Sequence, residues 1–292
     1  MAKRRALAIG AGLLGIAVGA CSPLGALDRL VPDDTYRQTA AIAYGGLPRQ
    51  KLDVYRPLDS GDGAPVVIFF YGGSWKSGER GKYRFVGEAL ASRGIVAVIP
   101  DYRLYPEARF PDFLEDSAAA VAWVKREIAA YGGDPARVFA AGHSAGAYNA
   151  AMLAVQPAYL AAEGLAPADL CGAISIAGPN GVDLRDYNIT RPIFAHISDP
   201  ASTRPEALVR DGAPPFLLLH GRSDRTVSPI NTERFAAALR QAGVQVETVY
   251  VPNIGHYRII AGVADPLEDW GGPTPVADYI ADFVRQRGAC HG

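Results

Sequence analysis

The stretch Gly142-His143-Ser144-Ala145-Gly146, GHSAG, stands between the apolar run RVFAA and the run AYNAAMLAV, whose pattern is helical. A serine there is either a turn residue or a nucleophile on a bend too tight for flanking side chains. The pattern Gly-x-Ser-x-Gly between strand and helix has a mechanical reason. The bend strains the serine backbone, the side chains two before and two after it must vanish, and the helix amino end presents free N–H groups. Gly142 and Gly146 meet that demand, with a strand-like run before and a helix-like run after.

Outward from this bend, APVVIFF, GIVAVIP, ARVFAAG, CGAISIAG, PPFLLLHG and VQVETVYV are short β-branched or aromatic runs bounded by Gly, Pro or Asp. They read as strands buried on both faces. Segments of helical period lie between them at Tyr83 to Ser92, Phe113 to Ala130, Ala147 to Val155, Thr232 to Ala242 and Val276 to Arg287. Alternation of the two predicts an α/β fold with a mostly parallel central sheet and helices on both faces. RQKLDVYRP alternates like a partly exposed strand and is expected at the antiparallel edge. Pro157 to Ala168 and Gly178 to Gly212 break the pattern, and both are expected above the carboxyl ends of the strands as a small cap of loops, where ligands bind in such sheets.

A serine hydroxyl is a weak nucleophile and needs a base oriented by an acid. Five histidines are available, at 143, 196, 220, 256 and 291. His291 lies in a tail, His143 adjoins the serine where the bend should turn it away, and His220 ends a strand and reads as packing. His256, in the loop VPNIGHYRI, has Gly255 to give it room and comes late in the chain, as the order Ser, Asp, His requires. Asp224 follows the strand FLLLHG, 80 positions after Ser144 and 32 before His256. Asp183 and Asp199 read as turn or cap residues. Oxyanion donors are expected from the N–H of Ala145 and from the glycine-rich run after VVIFF, whose small residues leave main-chain N–H groups unobstructed.

The chain has 292 residues, 49% of them hydrophobic, enough for one large domain. Lys plus Arg number 29 against 30 Asp plus Glu, a net charge of -1, so no overall field draws it to nucleic acid or anionic lipid. Lys3, Arg4 and Arg5 precede fifteen uncharged residues, the layout of a secretory signal and too short to span a bilayer. That segment ends Val18-Gly19-Ala20-Cys21 and resembles the lipobox of bacterial lipoproteins, whose cysteine is acylated. The resemblance implies a signal peptide over residues 1–20, lipidation of Cys21 and export to the periplasmic side of the outer membrane, with the lipid as the sole membrane contact; the alternative is an ordinary secretory signal with a chance cysteine. A linker over 21–40 and one main domain over 41–292 are expected to follow. The remaining cysteines, Cys171 and Cys290, are either a disulfide or two idle thiols. The histidines are scattered and no phosphate loop or dinucleotide fingerprint occurs, so no metal and no cofactor are expected.

The runs RQKLDVYRP, FFYGGSWKSGER, IPDYRLYP, DPARVFAAGHSAGAYNAAMLA, LLLHGRSDRTV and IGHY, spread over residues 44 to 257, resemble the α/β-hydrolase superfamily. The similarity is to its bacterial carboxylesterases, near the hormone-sensitive-lipase-like and feruloyl-esterase-like groups. It implies an α/β-hydrolase fold with Ser144 as nucleophile, Asp224 as acid, His256 as base, and an oxyanion hole from Gly73, Ser74 and Ala145. The usual His-Gly-Gly-Gly is here Tyr71-Gly72-Gly73-Ser74, a departure that changes how the loop is anchored. The expected activity is cleavage of small or short-chain carboxylic esters. An amidase of the arylformamidase type is the alternative hydrolase, and a non-catalytic lipoprotein using the fold as a binding platform is the alternative from another class.

Overall fold

The strand-like runs do pair side by side. In the computed structural model, which describes residues 31–59, 61–264 and 276–290, eight strands assemble into one sheet. They are β1 (Tyr36–Ala43), β2 (Lys51–Pro57), β3 (Ala64–Phe70), β4 (Val96–Pro100), β5 (Gly133–His143), β6 (Gly172–Ile176), β7 (Phe216–Gly221) and β8 (Val246–Val251). Their order is β1-β2-β4-β3-β5-β6-β7-β8. The β1–β2 and β2–β4 pairs are antiparallel and every later pair is parallel. Every residue of β4, β6 and β7 is buried, the result of covering both faces, and this is why these strands read as unbroken apolar runs rather than alternating ones.

Five longer helices flank the sheet: α1 (Arg84–Ala91), α2 (Asp112–Glu127), α3 (Ala145–Val155), α4 (Ile230–Gln241) and α5 (Val276–Arg285). All of α3 is buried, which its small and apolar sequence AGAYNAAMLAV permits. It starts directly behind Ser144, so the serine is mounted on the most enclosed of these five helices.

Two sequence expectations are corrected. RQKLDVYRP supplies the antiparallel strand β2, yet it is not the edge, because β1 pairs outside it. Six of the eight β1 side chains are exposed, so no apolar alternation advertised the strand. β1 also runs across residue 40, where linker and domain were expected to meet, and the sheet takes in residues 36–40 as well. The second correction concerns Pro157 to Ala168. It lies between α3 and the start of β6, at the amino ends of the strands, and none of it lines a cavity at Ser144. A chain leaving a helix that returns from the carboxyl edge emerges at the opposite edge; composition alone marks a loop without saying which end it occupies.

Cys171 and Cys290 form a disulfide with a Cα–Cα separation of 4.7 Å, joining the residue before β6 to the segment after α5. Both lie at the amino-end side of the sheet, away from Ser144. The leader and Cys21 lie outside the described residues, as does His291.

Candidate active site

Ser144 sits between β5 and α3 with φ 54° and ψ −118°, a region that a residue with a Cβ occupies only when its surroundings force it. A Cβ on Gly146 would stand 1.9 Å from the Phe70 carbonyl oxygen, and one on Gly142 would stand 2.3 Å from the Gly146 backbone. The first approach follows from strand pairing, since β3 and β5 are neighbours with Phe70 opposite Gly142; the second is the bend folding the chain back on itself. The Ser144 N–H donates to the Ile176 carbonyl at the end of β6, at 2.9 Å. Three strand ends thereby fix one hydroxyl.

Asp224 comes from the loop after β7, and His256 is the first residue of a short helix, His256–Ala261, that follows β8 where the sequence was read as a loop. The His256 Nε2 lies 2.9 Å from the Ser144 Oγ, and its Nδ1 lies 2.7 Å from the Asp224 Oδ2. The other carboxylate oxygen, Oδ1, accepts the N–H groups of Thr226 and Val227 at 2.8 and 2.9 Å. Burial alone pushes the Asp224 carboxyl up, but hydrogen bonds from His220 and His256 and the Val227 N–H outweigh it and hold the group below the usual carboxylate range. Hydroxyl, imidazole and buried carboxylate in this series can move a proton from oxygen to nitrogen and support the cation that results.

The two histidines set aside in the sequence belong to this site. His220 is wholly buried, with Nε2 at 2.9 Å from the Val227 carbonyl and 3.4 Å from the Asp224 Oδ2, and Nδ1 at 2.7 Å from the Thr232 hydroxyl. A carbonyl only accepts, so Nε2 carries the proton and the same N–H faces the carboxylate. His143 does not turn away. Its ring packs on that of His256 with centroids 4.7 Å apart, and its Nε2 donates to the His256 carbonyl at 3.0 Å. Burial, and then His256, push His143 down to about 3, so the ring is neutral near pH 7. The spacing His220-x-x-x-Asp224, bridging a strand end and the turn beyond it, was the available signal; assessing each histidine singly as a base hid it. Asp183 and Asp199 accept the N–H groups of Arg185 and Ala201 as turn caps, and His196 bonds the Phe110 carbonyl.

The loop after β3 carries Gly73 at φ 132°, then Ser74 and Trp75 at φ 53° and 56°. Two successive left-handed residues with side chains are held there by packing. Trp75 is buried, its Nε1 donates to the Asn149 Oδ1 at 2.9 Å, and its ring stacks on Phe113 at 5.2 Å. Among the described residues no acceptor takes the N–H of Gly73, Ser74 or Ala145. Tyr71, where histidine is usual, is buried between Tyr83 and Tyr102 and donates its hydroxyl to the Asp101 Oδ1 at 2.9 Å, while Arg49 donates to that hydroxyl at 2.7 Å. Arg80 bridges Asp101 and Asp53, so the changed residue anchors the loop to an ionic cluster under β2 and β4. Two cavities meet at Ser144. One of about 310 Å³ is walled by Trp75, Val182, Leu184, Tyr187 and Ile189, and the Gly178 to Gly212 segment does roof it; the other, about 280 Å³, is lined by Gly72, Ser77, Lys82, Tyr83 and His256.

Residues 52–239 match the family described as BD-FAE. The chain belongs to the BD-FAE family. This family member is 34% identical over 266 residues to a probable isoprenylcysteine alpha-carbonyl methylesterase of Oryza sativa subsp. japonica, and 30% identical over 272 residues to esterase LipQ of Mycobacterium tuberculosis. These alignments take in 84% and 85% of the chain but only 62% of either relative's length. Among solved structures, Thermogutta terrifontis esterase 2 phosphoramylated by tabun superposes with a TM-score of 0.71 at 26% identity, covering 87% of this chain and 95% of that one. A truncated carbohydrate esterase from gut microbiota superposes at 0.73 with 20% identity over 88% and 98% of the two chains. With the strand order above, the fold is the α/β-hydrolase fold.

Proposed function

We propose that this protein is a serine carboxylesterase. The observation that carries the reading is the unbroken series Ser144 Oγ, His256 Nε2, His256 Nδ1, Asp224 Oδ2, with steps of 2.9 and 2.7 Å, on a bend enforced by two glycines. Ser144 attacks the ester carbonyl while His256 takes its proton. The developing oxyanion meets the N–H groups of Gly73, Ser74 and Ala145, which have no other described acceptor. Collapse expels the alcohol, protonated by His256, and water activated by the same imidazole releases the acid. Asp224, fully engaged and below its usual range, stays ionised and steadies the imidazolium. The esterase names of the relatives and the phosphoramylated neighbour support this chemistry. The two modest cavities favour a small ester over a long-chain lipid.

The decisive experiment pairs ester turnover with mass spectrometry after fluorophosphonate treatment. Ser144→Ala is expected to lower turnover by roughly five orders of magnitude, and the wild-type adduct is expected on Ser144. An adduct elsewhere, or a Ser144→Ala enzyme with more than about a hundredth of normal turnover, overturns the mechanism. Export with lipidation at Cys21 is part of the same proposal; the Cys171–Cys290 disulfide supports an oxidising compartment. A Cys21→Ala protein that partitions with membranes as the wild type does would remove the lipid anchor.

A further inference from the structure

The two cavities divide the substrate, given the esterase reading above. The leaving alkoxide must collect its proton from the His256 Nε2, so the alcohol belongs in the cavity that His256 lines, and the acyl chain enters the other. Arg225 contributes the one charged side chain among the described lining of that acyl cavity. The described residues give it no hydrogen bond and no ion pair. Its neighbours differ: Arg222 pairs with Glu233 at 3.6 Å and lies over the Tyr250 ring at 4.0 Å, and Lys82 in the alcohol cavity pairs with Glu79 at 3.0 Å. Asp224, adjacent in sequence, turns both oxygens to Thr226, Val227, His256 and His220 and makes no ion pair with Arg225. Among the described residues no carboxylate lines either cavity. An apolar wall of Val182, Leu184 and Ile189 thus shares one cavity with an exposed arginine whose five donors have no described partner.

We infer that the preferred substrate is a monoester of a dicarboxylic acid, its methylenes along the apolar wall and its free carboxylate on Arg225. The Ser144 Oγ bonds to the acyl carbon and gives its proton to His256; collapse of the tetrahedral oxyanion then breaks the bond to the alcohol, which leaves with that proton. Water, deprotonated by the same imidazole, attacks the hemiacyl-enzyme, and the bond to Oγ breaks to release the dicarboxylate and restore the serine hydroxyl.

The test measures kcat/KM by proton release for ethyl hydrogen glutarate and ethyl hydrogen adipate beside ethyl pentanoate and ethyl hexanoate. The wild type is expected to favour the hemiesters. Arg225→Gln is expected to lower the hemiester-to-neutral ratio about tenfold or more, through KM, with Arg225→Lys in between. Salt at about 0.5 M is expected to lower the same ratio for the wild type, because the guanidinium is solvent-reachable. Neutral esters hydrolysed as well as hemiesters, or an unchanged ratio in Arg225→Gln, would overturn the inference while leaving the esterase intact. A wild type that hydrolyses none of the four, with no fluorophosphonate adduct, removes the esterase reading itself.

Discussion

Asp224 accepts on both oxygens from four groups, and its two histidine contacts are unequal: His256 at 2.7 Å and His220 at 3.4 Å. That inequality ranks the consequences of removing each. Asp224→Asn replaces the carboxylate with an amide that cannot support the imidazolium and presents the wrong hydrogen-bond partner to Nδ1, so turnover is expected to fall by roughly two to four orders of magnitude. His220→Phe leaves the Asp224–His256 bond in place but strips one donor from the carboxylate and the partner from the Val227 carbonyl. A smaller loss of roughly tenfold in kcat is expected, with KM little changed and about 1–3 kcal/mol of stability lost. His220→Gln, which keeps an N–H near the same place, is expected to recover part of both. Steady-state kinetics beside thermal melts decide the ranking; His220→Phe with unaltered kcat would reduce His220 to packing, the role its place at the end of an apolar strand suggests when the residue is read alone.

At the scale of elements, the GHSAG bend was legible because backbone sterics leave few residues a choice, and the buried strands were legible because two covered faces demand continuous apolar sequence. β1 was not, since an edge strand needs only its main chain to pair and its exposed side chains carry no period. Nor was the loop after β3: its glycines announced a turn, but the left-handed Ser74 and Trp75 depend on the buried contacts of Trp75 with Asn149 and Phe113, which are distant in sequence. The elbow itself gives a sharper test. Gly146→Ala places a methyl 1.9 Å from the Phe70 carbonyl oxygen and 2.5 Å from that of Tyr71, both backbone atoms that cannot yield without moving β3. Stability is expected to drop by about 3 kcal/mol or more, and turnover with it, because β3 also leads into the oxyanion loop. A Gly146→Ala protein that melts with the wild type would mean that β3 and the elbow do not touch in solution.

Across the whole molecule, the disulfide links the residue before β6 to the chain after α5, a separation of 119 residues that encloses β7, β8, α4 and both Asp224 and His256. Ser144 and the loop after β3 lie outside that enclosed segment. Closing so long a loop restricts the unfolded chain by about 4–5 kcal/mol on the chain-entropy account, and the bridge sits at the amino-end edge of the sheet, opposite the site. Its contribution is therefore expected in stability and not in the rate of the folded enzyme. Cys290→Ser, or reduction of the wild type, should lower the melting temperature by roughly 10 °C while ester turnover at 25 °C stays within a factor of about two. The order of failure on heating should change as well: without the bridge, the enclosed half can leave the sheet from β6 outward, taking Asp224 and His256 away from a serine still mounted on α3. Reactivity of the freed Cys171 toward a thiol reagent, followed against temperature together with turnover, reads that separation directly. Coincident loss of activity and of thiol protection below the main melt is the expected result; a reduced protein that melts within about 2 °C of the oxidised one would mean that the bridge constrains little and that the fold alone holds the two halves of the site together.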